Sequence, residues 1–299
     1  MAFKPALHEQ AFPRFYSLYD GKSMGDSQKT IQIVEQAVQS MPKAASGWFM
    51  RRPLARPRMR LFCLAYAGGS AVGYLDWQES LAPDVEVCAI QLPGRGNLFH
   101  EPAITDMNAL LGSLVPAVAE RIGQDALPCA LFGHSLGALL AFEIARGLPA
   151  HARGRLRHLF VSGCEAPSDR SPSKYLHRLP DAELIEELKR FDGTPPEILE
   201  HRELMELVLP TIRADFTLAE NYAYVPGPSL PMPMTVLAGR EDDDCEASRI
   251  RSWSRETECE VDFAWLDGGH FFIQSQRAAV VGRIRETLAG YLNLPALDH

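Results

Sequence analysis

Six short apolar runs recur between residues 60 and 266, and no other feature restricts the fold of this chain as strongly. They are RLFCLAY (60–66), EVCAIQL (86–92), CALFG (129–133), HLFVSG (158–163), MTVLAG (234–239) and VDFAWL (261–266). Each is the length of a strand and apolar enough to be covered on both faces. Helical patterns separate most of them, such as Leu136 to Arg146, where Ala, Leu and Glu follow one another without proline. Short buried strands alternating with helices predict an α/β fold, a mostly parallel sheet with helices on both faces. The alternation breaks once, over about 167–228, where DAELIEELKRF and HRELMELVLPTIRADFTLAENY are both helical and amphipathic and the segment ends in VPGPSLPMP. A helical insertion late in such a sheet predicts a lid over the strand ends, where open sheets keep their sites.

Residues 1–46 read differently. A polar, turn-rich start leads into TIQIVEQAVQSM, where Ile31, Val34, Val38 and Met41 share one helical face and Asp26 or Ser27 supplies a cap. The expectation is an appendage carrying one amphipathic helix, ahead of a main domain over 47–299. The net charge of −8 argues against a general nucleic-acid binder, which carries a basic face. No apolar run approaches the roughly 20 residues that span a bilayer, and MAFKPALHEQAFPRF lacks the apolar centre of a secretory signal. The six cysteines form no C-x-x-C pair, and several fall inside strand-like runs where a thiol serves as a small hydrophobe. A reduced, cytoplasmic protein is expected, without membrane attachment.

Chemistry concentrates where CALFG meets its helix. Gly133-His134-Ser135-Leu136-Gly137 is a Gly-x-Ser-x-Gly run at a strand-to-helix junction, which holds a serine hydroxyl out of the sheet near the positive helix N-terminus. A serine needs a base to become a nucleophile. Of nine histidines, His270 in WLDGGHFF stands out, since it follows a strand in a glycine-rich loop. The base needs a carboxylate, and VLAGREDDD offers Asp242, Asp243 and Asp244 after the preceding strand. Serine, acid and histidine then follow in α/β-hydrolase order. An oxyanion hole needs two N–H donors: Leu136, directly after the serine, and Ala67 in AYAGGSA, where Gly68 and Gly69 permit close approach. His134 reads as a packing residue, His100 as a loop residue, and the five arginines of RRPLARPRMR (51–60) as a solvated basic linker.

With these residues placed, the chain from GWF (47–49) to about residue 290 resembles the type II thioesterases that accompany non-ribosomal peptide and polyketide synthases. The resemblance is carried by RLFCLAYAGGSA, QLPGRG, LFGHSLGALLAFEIAR, LPTIRADFTLAENY, VLAGREDD and DGGHFF. It implies an α/β-hydrolase fold with Ser135 as nucleophile, His270 as base and the backbone of Ala67 and Leu136 as oxyanion hole. The family spacing, Gly-x-x-Asp from Gly239, favours Asp242 as the acid. Glu165 and Asp169 in SGCEAPSD compete for that role, since some related thioesterases place the acid after the earlier strand. The implied activity is hydrolysis of acyl or aminoacyl thioesters from the 4′-phosphopantetheine arm of acyl or peptidyl carrier domains, with no cofactor or metal of the enzyme's own. The pattern departs from the family at Ala65, where proline is usual, in NLFHEP, where an arginine often follows PGRG, and in the 46-residue extension. Release of product or acyl transfer by the same triad, a small-molecule esterase, and a non-catalytic binding protein are the alternatives.

Overall fold

A computed structural model describes residues 47–191, 193 and 196–292; the amphipathic run expected at 31–41 lies outside them. The six apolar runs become strands: β2 (Met59–Leu64), β3 (Val85–Ile90), β4 (Cys129–His134), β5 (Leu156–Ser162), β6 (Met234–Gly239) and β7 (Val261–Leu266). A seventh, β1 (Phe49–Arg51), is too short to announce itself by pattern. It pairs antiparallel with β3, giving the order β1-β3-β2-β4-β5-β6-β7 with every other pairing parallel.

Side chains alternate across the sheet as a period of two requires. Phe62, Leu64, Cys88, Ile90 and Leu131 face one core, built with α1 (Met107–Gly123) and α2 (Leu136–Gly147). Leu61, Cys63, Val87, Ala89 and Phe132 face the other, built with α5 (Arg277–Leu292) and the turns around Tyr74 and Trp77. Both faces are covered from β2 to β6, which is why these strands read as continuous apolar runs and not as alternating ones, while β7 at the sheet edge is half-buried.

Between β5 and β6 the chain leaves the sheet for α3 (Asp181–Phe191), a short turn at Pro196–Leu199, and α4 (Arg202–Glu220). These helices have a core of their own, with Leu184, Leu188, Met205, Leu209 and Ile212 buried together. Apolar spacing made both helices legible; α4 runs through Pro210.

One expectation is corrected at a single residue. Arg51, Arg52, Arg56 and Arg58 are exposed, as a solvated basic linker requires, but Arg60 is not. Arg60 lies in β2 and is buried, bonding Glu86 Oε2 through Nε at 2.9 Å and Asp125 through both terminal nitrogens. Arg51 pairs with the same Glu86, Arg52 with Asp76 and Arg58 with Asp84. Arg60 and Glu86 stand opposite one another in the β2–β3 register, so a strand charge that looks exposed in sequence is compensated by its neighbour across the ladder.

Candidate active site

The Gly-x-Ser-x-Gly run forms the bend between β4 and α2. Ser135 has φ 55° and ψ −117°, a strained conformation for a residue with a side chain. Two contacts impose it: the Ser135 amide donates to the Ser162 carbonyl of β5 at 2.8 Å, and the Ser135 carbonyl accepts from the Ala138 amide at 2.9 Å. The flanking glycines are steric necessities. A Cβ on Gly133 would lie 1.9 Å from the Gly137 carbonyl oxygen, and one on Gly137 would lie 2.2 Å from that of Leu64 in β2. Helix and strands meet backbone to backbone here, and the serine is what projects.

His270 follows β7 in the Gly268-Gly269 loop, and its Nδ1 lies 2.9 Å from Asp242 Oδ2. The Asp242 side chain is 1% exposed and that of His270 11%. Burial pushes the Asp242 carboxyl upward, but the hydrogen bond and charge of His270, the Asp244 amide and the Cys245 thiol outweigh it and hold the group below the usual carboxylate range. An ionised Asp242 accepts from Nδ1–H, leaving Nε2 as the nitrogen free to act as a base. The other carboxylates have different work. Glu165 accepts from the Ser171 amide and hydroxyl and from the Glu246 amide. Asp169 takes Arg249 and Ser252, and Asp244 pairs with Lys174.

His134 is fully buried, with Nδ1 2.9 Å from Ser162 Oγ and its ring 5.3 Å from that of His270. Burial, reinforced by the charge of His270, pushes it well below the usual histidine value, so it is neutral packing beneath the site. Asp242, Cys245 and His270 place one donor atom each within 4.8 Å of one another, a spacing that suits a metal ion. The fit is poor. The Asp242–His270 hydrogen bond already uses two of the donors, and burial raises the Cys245 thiol far above its ordinary value, against the thiolate a metal needs.

Ser135, His270 and Ala67 line one cavity of about 580 Å³, within the range of small-molecule sites. Its far wall comes from the helical insertion: Leu188, Phe191, Ile212 and Phe216. The Phe191 ring stands 5.8 Å from that of His270. Sequence reading locates the two amphipathic helices of the insertion but not which of their apolar side chains face the chamber; Leu188 and Ile212 serve both the chamber and the insertion's own core. It missed Phe191 and Phe216, whose helical spacing reads as ordinary core. It also missed Arg95 and Asp215, buried and bonded to each other between the β3 loop and α4. Both sit inside motifs that carry the resemblance, QLPGRG and LPTIRADFTLAENY, but nothing in sequence joins them.

Comparison with known proteins agrees with this geometry. The profile of the thioesterase domain family matches residues 59–288. The chain is 37% identical over 251 residues to the linear gramicidin dehydrogenase LgrE of Brevibacillus parabrevis, covering 83% of this chain and 94% of that protein. It is 36% identical over 245 residues to thioesterase PikA5 of Streptomyces venezuelae, covering 81% and 86%. Among solved structures, the type II thioesterase BorB from the borrelidin biosynthetic cluster superposes with a TM-score of 0.73 at 38% identity, covering 80% of this chain and 96% of that one.

Proposed function

The chain belongs to the thioesterase domain family, and on that premise we propose that it frees carrier domains of peptide or polyketide synthases by hydrolysing acyl or aminoacyl thioesters from their phosphopantetheine arms. The observation that carries the reading is the buried Asp242–His270 pair sharing one cavity with a serine on a strained elbow. Relatives named for biosynthetic pathways support the choice of carrier, among them a type II thioesterase from the yersiniabactin NRPS/PKS biosynthetic pathway, 30% identical. The dehydrogenase in the name of LgrE is that protein's own; the serine elbow and the Asp242–His270 pair here suit acyl chemistry. Six unpaired thiols fit a reducing, cytoplasmic setting, and among the described residues no helix is long and apolar enough to cross a membrane.

In this reading Ser135 Oγ attacks the thioester carbonyl while His270 Nε2 takes its proton, and Asp242 holds the imidazolium that forms. The tetrahedral oxyanion is met by the N–H groups of Ala67 and Leu136. Collapse expels the pantetheine sulfur, which receives the proton from His270, and leaves an acyl ester on Ser135. Water, deprotonated by His270, then attacks the ester; the acid departs and the proton returns to Ser135. The acyl chain lies against Leu188, Phe191, Ile212 and Phe216, so the insertion acts as a lid that excludes bulk water. No step calls for a cofactor or metal.

Mass spectrometry of acylated carrier proteins tests the reading. The wild type should return free phosphopantetheinyl carrier and free acid, and a fluorophosphonate should label Ser135. Intact acyl-carrier after prolonged incubation, or labelling elsewhere, overturns it.

A further inference from the structure

Asp215, in α4 of the insertion, has no solvent exposure, yet its carboxylate is fully employed. Arg95 grips it with both terminal nitrogens, Nη1 to Oδ2 at 2.5 Å and Nη2 to Oδ1 at 2.6 Å. The same Oδ2 accepts the Gly68 amide at 2.7 Å. Arg95 Nη1 also donates to the Gly69 carbonyl at 3.2 Å. One turn earlier in α4, Thr211 donates to the Gly94 carbonyl at 2.8 Å. Gly68 has φ +75°, and a Cβ there would lie 2.8 Å from Ile212. The helix is therefore fastened to two loops at the catalytic end of the sheet, and the fastening converges on the loop that follows β2.

The loop's hydrogen bonds say what this fastening does. The Gly68 N–H is consumed by Asp215 and is unavailable to substrate. The Gly69 amide donates to the Tyr66 carbonyl at 2.8 Å. In a trans peptide the N–H points opposite its carbonyl, so the Gly69 bond fixes the Tyr66–Ala67 peptide while the Asp215 bond fixes the adjoining Ala67–Gly68 peptide, and Ala67 is held on both sides of its Cα. They leave the Ala67 N–H directed away from the turn. A buried carboxylate this close to a developing oxyanion would oppose it, and the bidentate Arg95 removes that penalty. Desolvating such a pair is costly, so net stability alone does not account for it.

We propose that Asp215 and Arg95 are positioning residues that hold the Ala67 oxyanion donor in place from the lid helix, so that the seating of α4 sets the rate of acylation. This rests on the thioester reading above. The test uses Asp215→Ala, Asp215→Asn and Arg95→Lys, each with four readouts: kcat, KM, the Ki of an acyl trifluoromethyl ketone, and the affinity of a non-hydrolysable thioether analogue. The ketone forms a tetrahedral oxyanion on the serine; the thioether does not. Misplaced catalytic groups commonly cost about 10²-fold, so Asp215→Ala should lower kcat and weaken the ketone by that common factor. KM and thioether affinity should stay within about threefold, and Asp215→Asn and Arg95→Lys should fall between Asp215→Ala and the wild type. Folded variants with unchanged kcat and ketone affinity overturn the proposal, as does loss confined to KM and thioether affinity. Failure of all three variants to fold also overturns it, because the pair would then be a stability element. If the wild type turns over acyl thioesters and labels at Ser135, such results refute only this inference; if it does neither, the thioester reading itself has failed.

Discussion

Two buried guanidinium–carboxylate clusters occupy opposite ends of the same sheet. At the end where the strands begin, Arg60, Glu86, Arg121 and Asp125 join β2, β3 and α1. At the end where the strands finish, Arg95 and Asp215 join the β3 loop to α4. The first binds elements that are already neighbours in the hydrogen-bonded ladder, with Arg60 and Glu86 in register. The second reaches across 120 residues of sequence to parts that share no ladder, and it ends on the backbone amide of Gly68, which lines the same cavity as Ser135. The same pair chemistry thus supports fold integrity at one end and geometry of the site at the other. Disruption at the first should register in stability, and disruption at the second in rate.

The contrast is sharpest at the serine. Ser135→Ala should lower turnover on the order of 10⁶-fold with a melting temperature close to wild type; activity above a few per cent in a clean variant would remove Ser135 from its role. Next comes an asparagine or glutamine scan of the acids at 165, 169, 242, 243 and 244. Loss of a triad aspartate's charge costs about 10⁴-fold in the trypsin example, and only Asp242 stands against His270. A larger loss at any of the other four would reassign the acid.

At the opposite end, Glu86→Gln leaves Arg60 and Arg121 buried beside a neutral group. Removing one partner of a buried pair costs about 3–5 kcal/mol, on the order of 10 °C in a chain this size, while kcat per folded molecule stays at the wild-type value. A loss of kcat without a loss of melting temperature would erase the distinction between the two ends. A gentler probe is acid. Burial lowers His158 from 6.5 to about 4, where its ring nitrogens meet Tyr291 and Thr235. A depressed histidine makes the folded state bind fewer protons than the unfolded one. Its contribution is therefore complete above pH 6.5 and lost as pH falls toward 4. Urea titrations should show that decline, and His158→Gln should flatten it. The smallest expected effect is that of a chelator: dialysis against EDTA should leave kcat unchanged, and a loss restored by a divalent metal would make Asp242, Cys245 and His270 a working metal site.

Much of this protein is legible from local pattern. Strands covered on both faces must be apolar throughout, so β2 to β6 stand out, and α3 and α4 show their buried faces by spacing. The Gly-x-Ser-x-Gly bend is legible as a contiguous motif, although what demands its second glycine is the Leu64 carbonyl of β2, a contact across the fold. The order serine, acid, histidine needs only the succession of strands. By itself, then, the sequence determined the elements, the elbow and the shortlist of reactive groups. Family spacing already favoured Asp242, but only the tertiary structure brought it against His270 and gave Glu165, Asp169 and Asp244 other partners. The tertiary structure alone paired β1 with β3, buried Arg60 against Glu86, and brought Asp215 to Arg95 and Gly68. The physical reason is the same in each case: a charge looks solvated in sequence, and what it pays in desolvation is offset by a partner whose distance is set by packing and not by spacing along the chain.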